Sequence, residues 1–149
     1  MVNTQELSTL IEKILHKMNY ASCDYEVSIK LLKSTGNKGS LEKILTSLFE
    51  KEVTVSDLKE ANKSQILESM KFALTHVDKS PAPYFGTEEH TEDVHLVQEL
   101  FSSLLYGYEG IYTFDFPYKT YPIPPVFWGF TYYIRFEDCA VIFVASASD

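Results

Sequence analysis

The sequence predicts an α+β fold: four to five N-terminal helices packed with a C-terminal antiparallel β-sheet of about three strands that ends in a hairpin. Three observations predict it. Apolar residues recur at steps of three and four as far as Leu105, the signature of amphipathic helices. From Gly110 the period shortens to two, in Tyr112, Phe114 and Phe116 and again in VFWGFTYYIRF. All six prolines lie after residue 80, where they break regular structure. The chain has 149 residues, enough for one core, so residues 1–149 read as a single domain.

The first helix is carried by Leu7, Leu10, Ile11, Ile14, Leu15 and Met18, with Asn3 and Glu6 placed as a capping box. Residues 24–32, DYEVSIKLL, fit two periods. Tyr25, Val27, Ile29 and Leu31 alternate as in a strand, while Tyr25, Ile29 and Leu32 share a helical face; Ser22 as cap and Gly36 as stop favour the helix. Ser40 then caps a helix with Leu41, Ile44, Leu45, Leu48 and Phe49 on one side. Residues 53–62 read as a connection and a short helix after Ser56, followed by a helix from about Lys63 to His76. Residues 80–90, broken by Pro81, Pro83 and Gly86, read as a loop held by Tyr84 and Phe85. A further helix through Val97, Leu100, Phe101 and Leu104 ends at Gly107. If Glu137 and Asp138 form a two-residue loop, the last two strands pair Ile134 with Val141 and Tyr132 with Phe143; a longer loop would shift that register.

Charge divides unevenly. Residues 1–79 hold eleven Lys and eleven Asp or Glu, whereas residues 80–149 hold Lys119 and Arg135 against ten acids and so carry the whole net charge of −8. Seventeen of the 21 aromatic residues lie in the same part. The imbalance disfavours nucleic acid and anionic membrane as partners, because both are bound through Lys and Arg. The N-terminus lacks the basic start and apolar run of a signal peptide, and no stretch approaches a membrane span, so a cytoplasmic location is expected. Cys23 and Cys139 are too few for a disulfide framework or a zinc site and read as structural thiols.

No catalytic constellation emerges. His90 and His95 lie among Glu88, Glu89, Glu92 and Asp93, but a spacing of five places the two imidazoles roughly 140° apart on a helix. Glu92 and His95 share a face, yet a carboxylate-bridged dimetal site needs a second such motif. The chain contains no GxSxG, phosphate-binding glycine loop or GxGxxG. The reading is therefore non-enzymatic, with no cofactor and no metal.

What remains is a surface for a partner. Between Ser80 and Tyr118 stand Glu88, Glu89, Glu92, Asp93, Glu99, Glu109 and Asp115, with no Lys or Arg. Tyr108, Tyr112, Tyr118 and Tyr121 are interleaved with them or follow directly. Tyrosines give large contact area and acids give rapid capture of a cation, so these eleven residues are the candidate partner-binding set. The acids and tyrosines equally suit a solvated face over the edge of a core.

The acidic, Tyr-rich middle (GTEEHTEDVHLV, LYGYEGIYTFDFPY) and the closing hairpin (FWGFTYYIRFEDCAVIFVASASD) resemble bacterial immunity proteins of polymorphic or contact-dependent growth-inhibition toxin systems. The resemblance covers roughly half the chain. It implies a non-enzymatic inhibitor whose acidic surface occludes the basic active site of a cognate toxin, commonly a nuclease, with the acids standing in for phosphates. Two other readings stay open: a helical adaptor or structural subunit that uses the amphipathic first half, and a small enzyme or ligand-binding domain with a pocket of Tyr, His and acids. The oligomeric state is not encoded in these patterns.

Overall fold

Residues 3–20, 25–35, 39–76 and 81–149 are described by a computed structural model. Among them the element order is α1 (Gln5–Asn19), β1 (Glu26–Ser34), α2 (Leu41–Phe49), β2 (Ser56–Ala61), α3 (Lys63–Thr75), α4 (Glu88–Leu104), β3 (Gly110–Asp115), a 3-10 turn (Tyr118–Thr120), β4 (Trp128–Arg135) and β5 (Ala140–Ser148). The five strands form one antiparallel sheet in the order β1-β5-β4-β3-β2.

The chain is thus α+β, but the expected arrangement of helices first and about three strands last is wrong. Two of the five strands come from the first half of the chain, at the two edges of the sheet. Residues 26–34 are a strand because β5 offers nine consecutive partners, from Glu26 opposite Ser148 to Ser34 opposite Ala140. Val27, Ile29 and Leu31 then enter one core while Leu32 packs against the other, so both faces of β1 are used. A helix could have buried only one stripe. Ser22 and Gly36, the expected cap and stop, lie outside the described residues. The short helix expected after Ser56 is instead β2, whose side chains are almost all exposed and which forms by pairing with β3. Its local pattern carries no apolar alternation to reveal it.

The helices expected elsewhere form, with their ends set by side chains. Ser40, Asn62 and Thr87 accept hydrogen bonds from the backbone N–H of Lys43, Gln65 and His90, respectively. At α1 the capping box is replaced by a bond from Gln5 N to Asn3 Oδ1 at 2.9 Å. The β4/β5 register matches the two-residue loop: Ile134 faces Val141, Tyr132 faces Phe143 and Phe130 faces Ala145.

Helices lie on both faces of the sheet. On one face α1, α3 and α4 bury Ile14, Ile66, Met70 and Phe101 against Tyr132, Ile134 and Phe143. On the other, α2 and the segment after β3 bury Leu45 and Phe116 against Tyr133, Ile142 and Val144. Each fully buried side chain of this kind contributes about 1.5–3 kcal/mol. β5, an inner strand buried along most of its length, is the shared wall of both cores. Among the described residues no helix is long and apolar enough to cross a membrane.

Candidate functional site

Five of the seven acids of the candidate set, Glu88, Glu89, Glu92, Asp93 and Glu99, sit on α4, which Thr87 starts and whose first turn places Glu88 and Glu89 at the positive end of the helix dipole. Its buried stripe is His90, Val94, Val97 and Phe101. His90 is part of the frame. Its Nδ1 accepts from Gly86 N at 3.1 Å and its Nε2 donates to Leu74 O at 2.8 Å, which fixes the Nε2–H tautomer and ties the 81–87 loop and α3 to α4. Gly86 supports this with φ of 78°, a conformation suited to glycine.

Two of the acids are engaged within the chain. Glu89 takes the Lys17 ammonium of α1 directly, and Asp93 lies 3.5 Å from the same nitrogen. Asp93 also accepts the Tyr84 hydroxyl at 2.7 Å, while Lys17 stands 5.3 Å from the centre of the Tyr84 ring. Burial, reinforced by Asp93, lifts the Tyr84 hydroxyl far above its ordinary range. The hydrogen bond to Glu89 raises Lys17. This cluster fastens α1, the 81–87 loop and α4 together.

The opposite side of α4 is different. Glu88, Glu92 and Glu99 are exposed along one stripe, and Leu96 stands among them 44% exposed. Among the described residues Glu99 meets His95, at 3.0 Å, and neither Glu88 nor Glu92 has a cation beside it.

The remaining candidates are dispersed. Glu109 binds back to β4, its N donating to Arg135 O at 2.8 Å and its carboxylate lying 3.8 Å from Arg135 Nε. Tyr108 packs against the larger core. Tyr112 stacks on Tyr133 at 5.6 Å on the opposite face of the sheet, and Tyr121 packs on Phe116 at 4.7 Å on that same face. Burial raises the Tyr121 hydroxyl above its usual value, with Asp115 adding to the effect. Tyr118 and Asp115 are exposed. No single surface holds the eleven residues: the α4 acids lie on one side of the sheet, Tyr112 and Tyr121 on the other.

Sequence reasoning missed an aromatic ridge. Phe72 of α3 stacks on His76 at 4.7 Å and meets Trp128 edge-on at 5.3 Å; Tyr25 packs on Phe127 at 5.5 Å and accepts the Trp128 indole N–H at 2.7 Å. Trp128 stacks in turn on Phe130, which reaches the core at Phe143. Phe72 is 40% and Phe127 52% exposed. Trp128 is half-buried at the start of β4. Val126 and Phe127, two apolar residues just before the strand, were the available signal.

Among the described residues no three His, Cys, Asp or Glu side chains gather as metal ligands do. Cys139 is buried, and burial pushes its thiol up, away from the reactive thiolate. A surface hollow of about 520 Å³ does bring His16, Lys17, Tyr20, Tyr84 and Glu89 together, but Lys17 and Glu89 there neutralise each other.

The fold and this surface define an α+β domain with helices on both sides of an antiparallel sheet and an acidic outer helix. Comparison with protein-family models, curated proteins and solved structures found no significant match to the chain.

Proposed function

We propose that this protein is a non-enzymatic, cytoplasmic immunity protein that binds and neutralises a cationic, nuclease-type toxin by laying the outer face of α4 over its basic active site. The observation that carries this reading is the stripe of Glu88, Glu92 and Glu99 around the exposed Leu96. An exposed apolar residue rimmed by acids, two of which have no cation beside them among the described residues, offers a contact surface, and the net charge of −8 steers a basic partner towards it. Glu89 and Asp93 serve the reading indirectly, by holding α4 in place. Tyr112 and Tyr121 drop out of the interface because they lie across the sheet.

The test uses the basic toxin domain encoded beside this chain, measuring growth rescue and association kinetics. Replacing Glu88, Glu92 and Glu99 together by Lys is expected to slow association by about tenfold or more at low salt, with the circular dichroism unchanged. Unchanged association, or the lack of any complex with a basic neighbour, would remove the reading.

An adaptor would use a surface other than the amphipathic stripes of the first half. The apolar stripes of α1, α2 and α3 are buried and offer no groove, so an adaptor would use the Phe72–Phe127 ridge. Such an adaptor loses its partner on Phe127→Ser and is indifferent to the α4 reversals.

A further inference from the structure

His90 is a buried imidazole whose two partners are both backbone groups of fixed role. The Gly86 N–H can only donate, so Nδ1 accepts it at 3.1 Å; the Leu74 carbonyl can only accept, so Nε2 carries the ring's proton and donates at 2.8 Å. The residue is 6% exposed, with the rings of Tyr84 and Phe85 packed around it at 4.9 and 5.0 Å between centres. A second proton, on Nδ1, would point at the Gly86 N–H, donor against donor. The closed arrangement therefore admits only the neutral ring.

The 81–87 loop is attached at this ring. The bonds from Phe85 N to Ala82 O at 3.1 Å and from Thr87 Oγ1 to Tyr84 O at 2.7 Å lie within the loop and shape it without fastening it. Besides the capping bonds of Thr87, its hydrogen bonds to the rest of the fold among the described residues are Gly86 to His90 and the Tyr84 hydroxyl to Asp93. The same loop supplies Pro83, Tyr84 and Thr87 to the wall of the hollow of about 520 Å³ that His16, Lys17 and Glu89 share.

The charged groups around the ring oppose one another. From α1 comes one ammonium, Lys17, against two carboxylates of α4, Glu89 and Asp93, which leaves one negative charge beside Tyr84. Towards α3, Lys71 and His95 line with His90 a hollow of about 360 Å³, and His95 is held by Glu99 at 3.0 Å. With cations on one side and a surplus acid on the other, the hydrogen-bond pattern decides.

We infer that His90 is an acid-operated latch. The neutral imidazole pins the 81–87 loop between α3 and α4; a proton taken up at Nδ1 replaces the acceptor of the Gly86 N–H by a donor, so the loop opens and a wall of the larger hollow leaves with it. A free imidazole binds a proton near about pH 6.5, and the closed loop leaves no place for it, so the open form binds more protons and acid favours it. The closed loop is fully stable above about pH 6.5 and loses stability below it, by about tenfold in the closed-to-open ratio for the first unit. The latch does not depend on what the outer face of α4 binds.

The test reads amide exchange of the full-length chain by NMR at about pH 7.5 and about pH 5.5, each rate divided by the intrinsic rate at that pH. Protection of the Gly86 amide should fall about tenfold between the two, while the amides of the inner strand β5 hold. The ring nitrogen shifts of His90 should keep the neutral Nε2–H pattern at about pH 5.5, because only the rare open form is charged. His90→Gln takes no proton and keeps a donor for Leu74 O, so it should remove the pH dependence of whatever protection Gly86 retains. Unchanged Gly86 protection in the natural chain overturns the inference, as does a fall shared by β5 or one that persists in His90→Gln. A ring that is charged while Gly86 stays protected overturns it too. If the variant does not fold, the Gly86, β5 and ring readings of the natural chain decide on their own.

Discussion

The Tyr84 hydroxyl donates to Asp93 at 2.7 Å, and the same carboxylate faces Lys17 across 3.5 Å, so a residue that reads in the sequence as part of a binding face is a joint between a loop and two helices. Asp93→Ala leaves a half-buried hydroxyl without its acceptor and should cost about 1–3 kcal/mol. Glu89→Ala removes a carboxylate that is largely exposed and should cost no more than about 1 kcal/mol. Urea unfolding of both variants checks the order; equal losses would mean that Asp93 anchors nothing.

Alkaline pH should unfold the protein through its tyrosines. Burial raises Tyr84, Tyr121, Tyr132 and Tyr133 above the ordinary phenol value of 10.0 and Cys139 above 9.0. Each group keeps its proton to higher pH when folded than when unfolded, so above the ordinary values the unfolded state binds fewer protons and gains. The stability these groups supply is complete below about pH 9 and is lost as pH rises from there through the folded values. Lys17, raised by its bond to Glu89, has the same sign. Urea midpoints between about pH 7 and 11 should fall only in the upper part of that range, and less steeply in Tyr84→Phe. A midpoint that holds level throughout contradicts the assignment.

At the aromatic ridge, Tyr25→Phe deletes the acceptor of the Trp128 indole N–H without changing the ring contacts. The cost should be about 1–2 kcal/mol, since a partly buried donor is left to find water. Trp128 is the single tryptophan, so its fluorescence reports the local loss directly while circular dichroism follows the whole fold. Coincident transitions shifted by that amount are expected; an unshifted curve would show that the bond contributes nothing net.

How far the sequence could be read follows from the range of the interaction that decides each element. α1 and α3 each bury one stripe, which a 3.6-residue period reveals, and the β4/β5 register follows from a short loop between two alternating runs. β1 and β2 are decided by partners far away in the chain, β5 for one and β3 for the other. β1 carries apolar residues on both faces, which blurred its period, and β2 carries almost none. The candidate site shows the same limit. The acidic stripe of α4 is a local pattern, but Glu89 and Asp93 are withdrawn from it by Lys17, more than seventy residues earlier. The ridge joins residues 25, 72, 76, 127, 128 and 130, drawn from segments far apart in the chain.

The approach of the proline-rich segment to β4 gives the most local prediction. A Cβ at Gly129 would stand 2.8 Å from Pro125 Cβ, 3.0 Å from Pro125 Cγ and 3.2 Å from Tyr121 Cε1. The proline ring cannot rotate away, and Ser146, opposite Gly129, donates to Ile123 O, which holds the segment against that same face of the sheet. Tyr121 is itself packed on Phe116. Gly129→Ala should therefore behave as overpacking and cost about 1–3 kcal/mol. Gly107→Ala is the contrasting case: its added methyl meets nothing within 4 Å, so only the strain of φ at 80°, about 1–2 kcal/mol, opposes it. The two are separated by a compensating change. Tyr121→Ala combined with Gly129→Ala should recover part of the loss, whereas Tyr121→Ala combined with Gly107→Ala should be additive. Additivity in both pairs would place the Tyr121 ring away from Gly129.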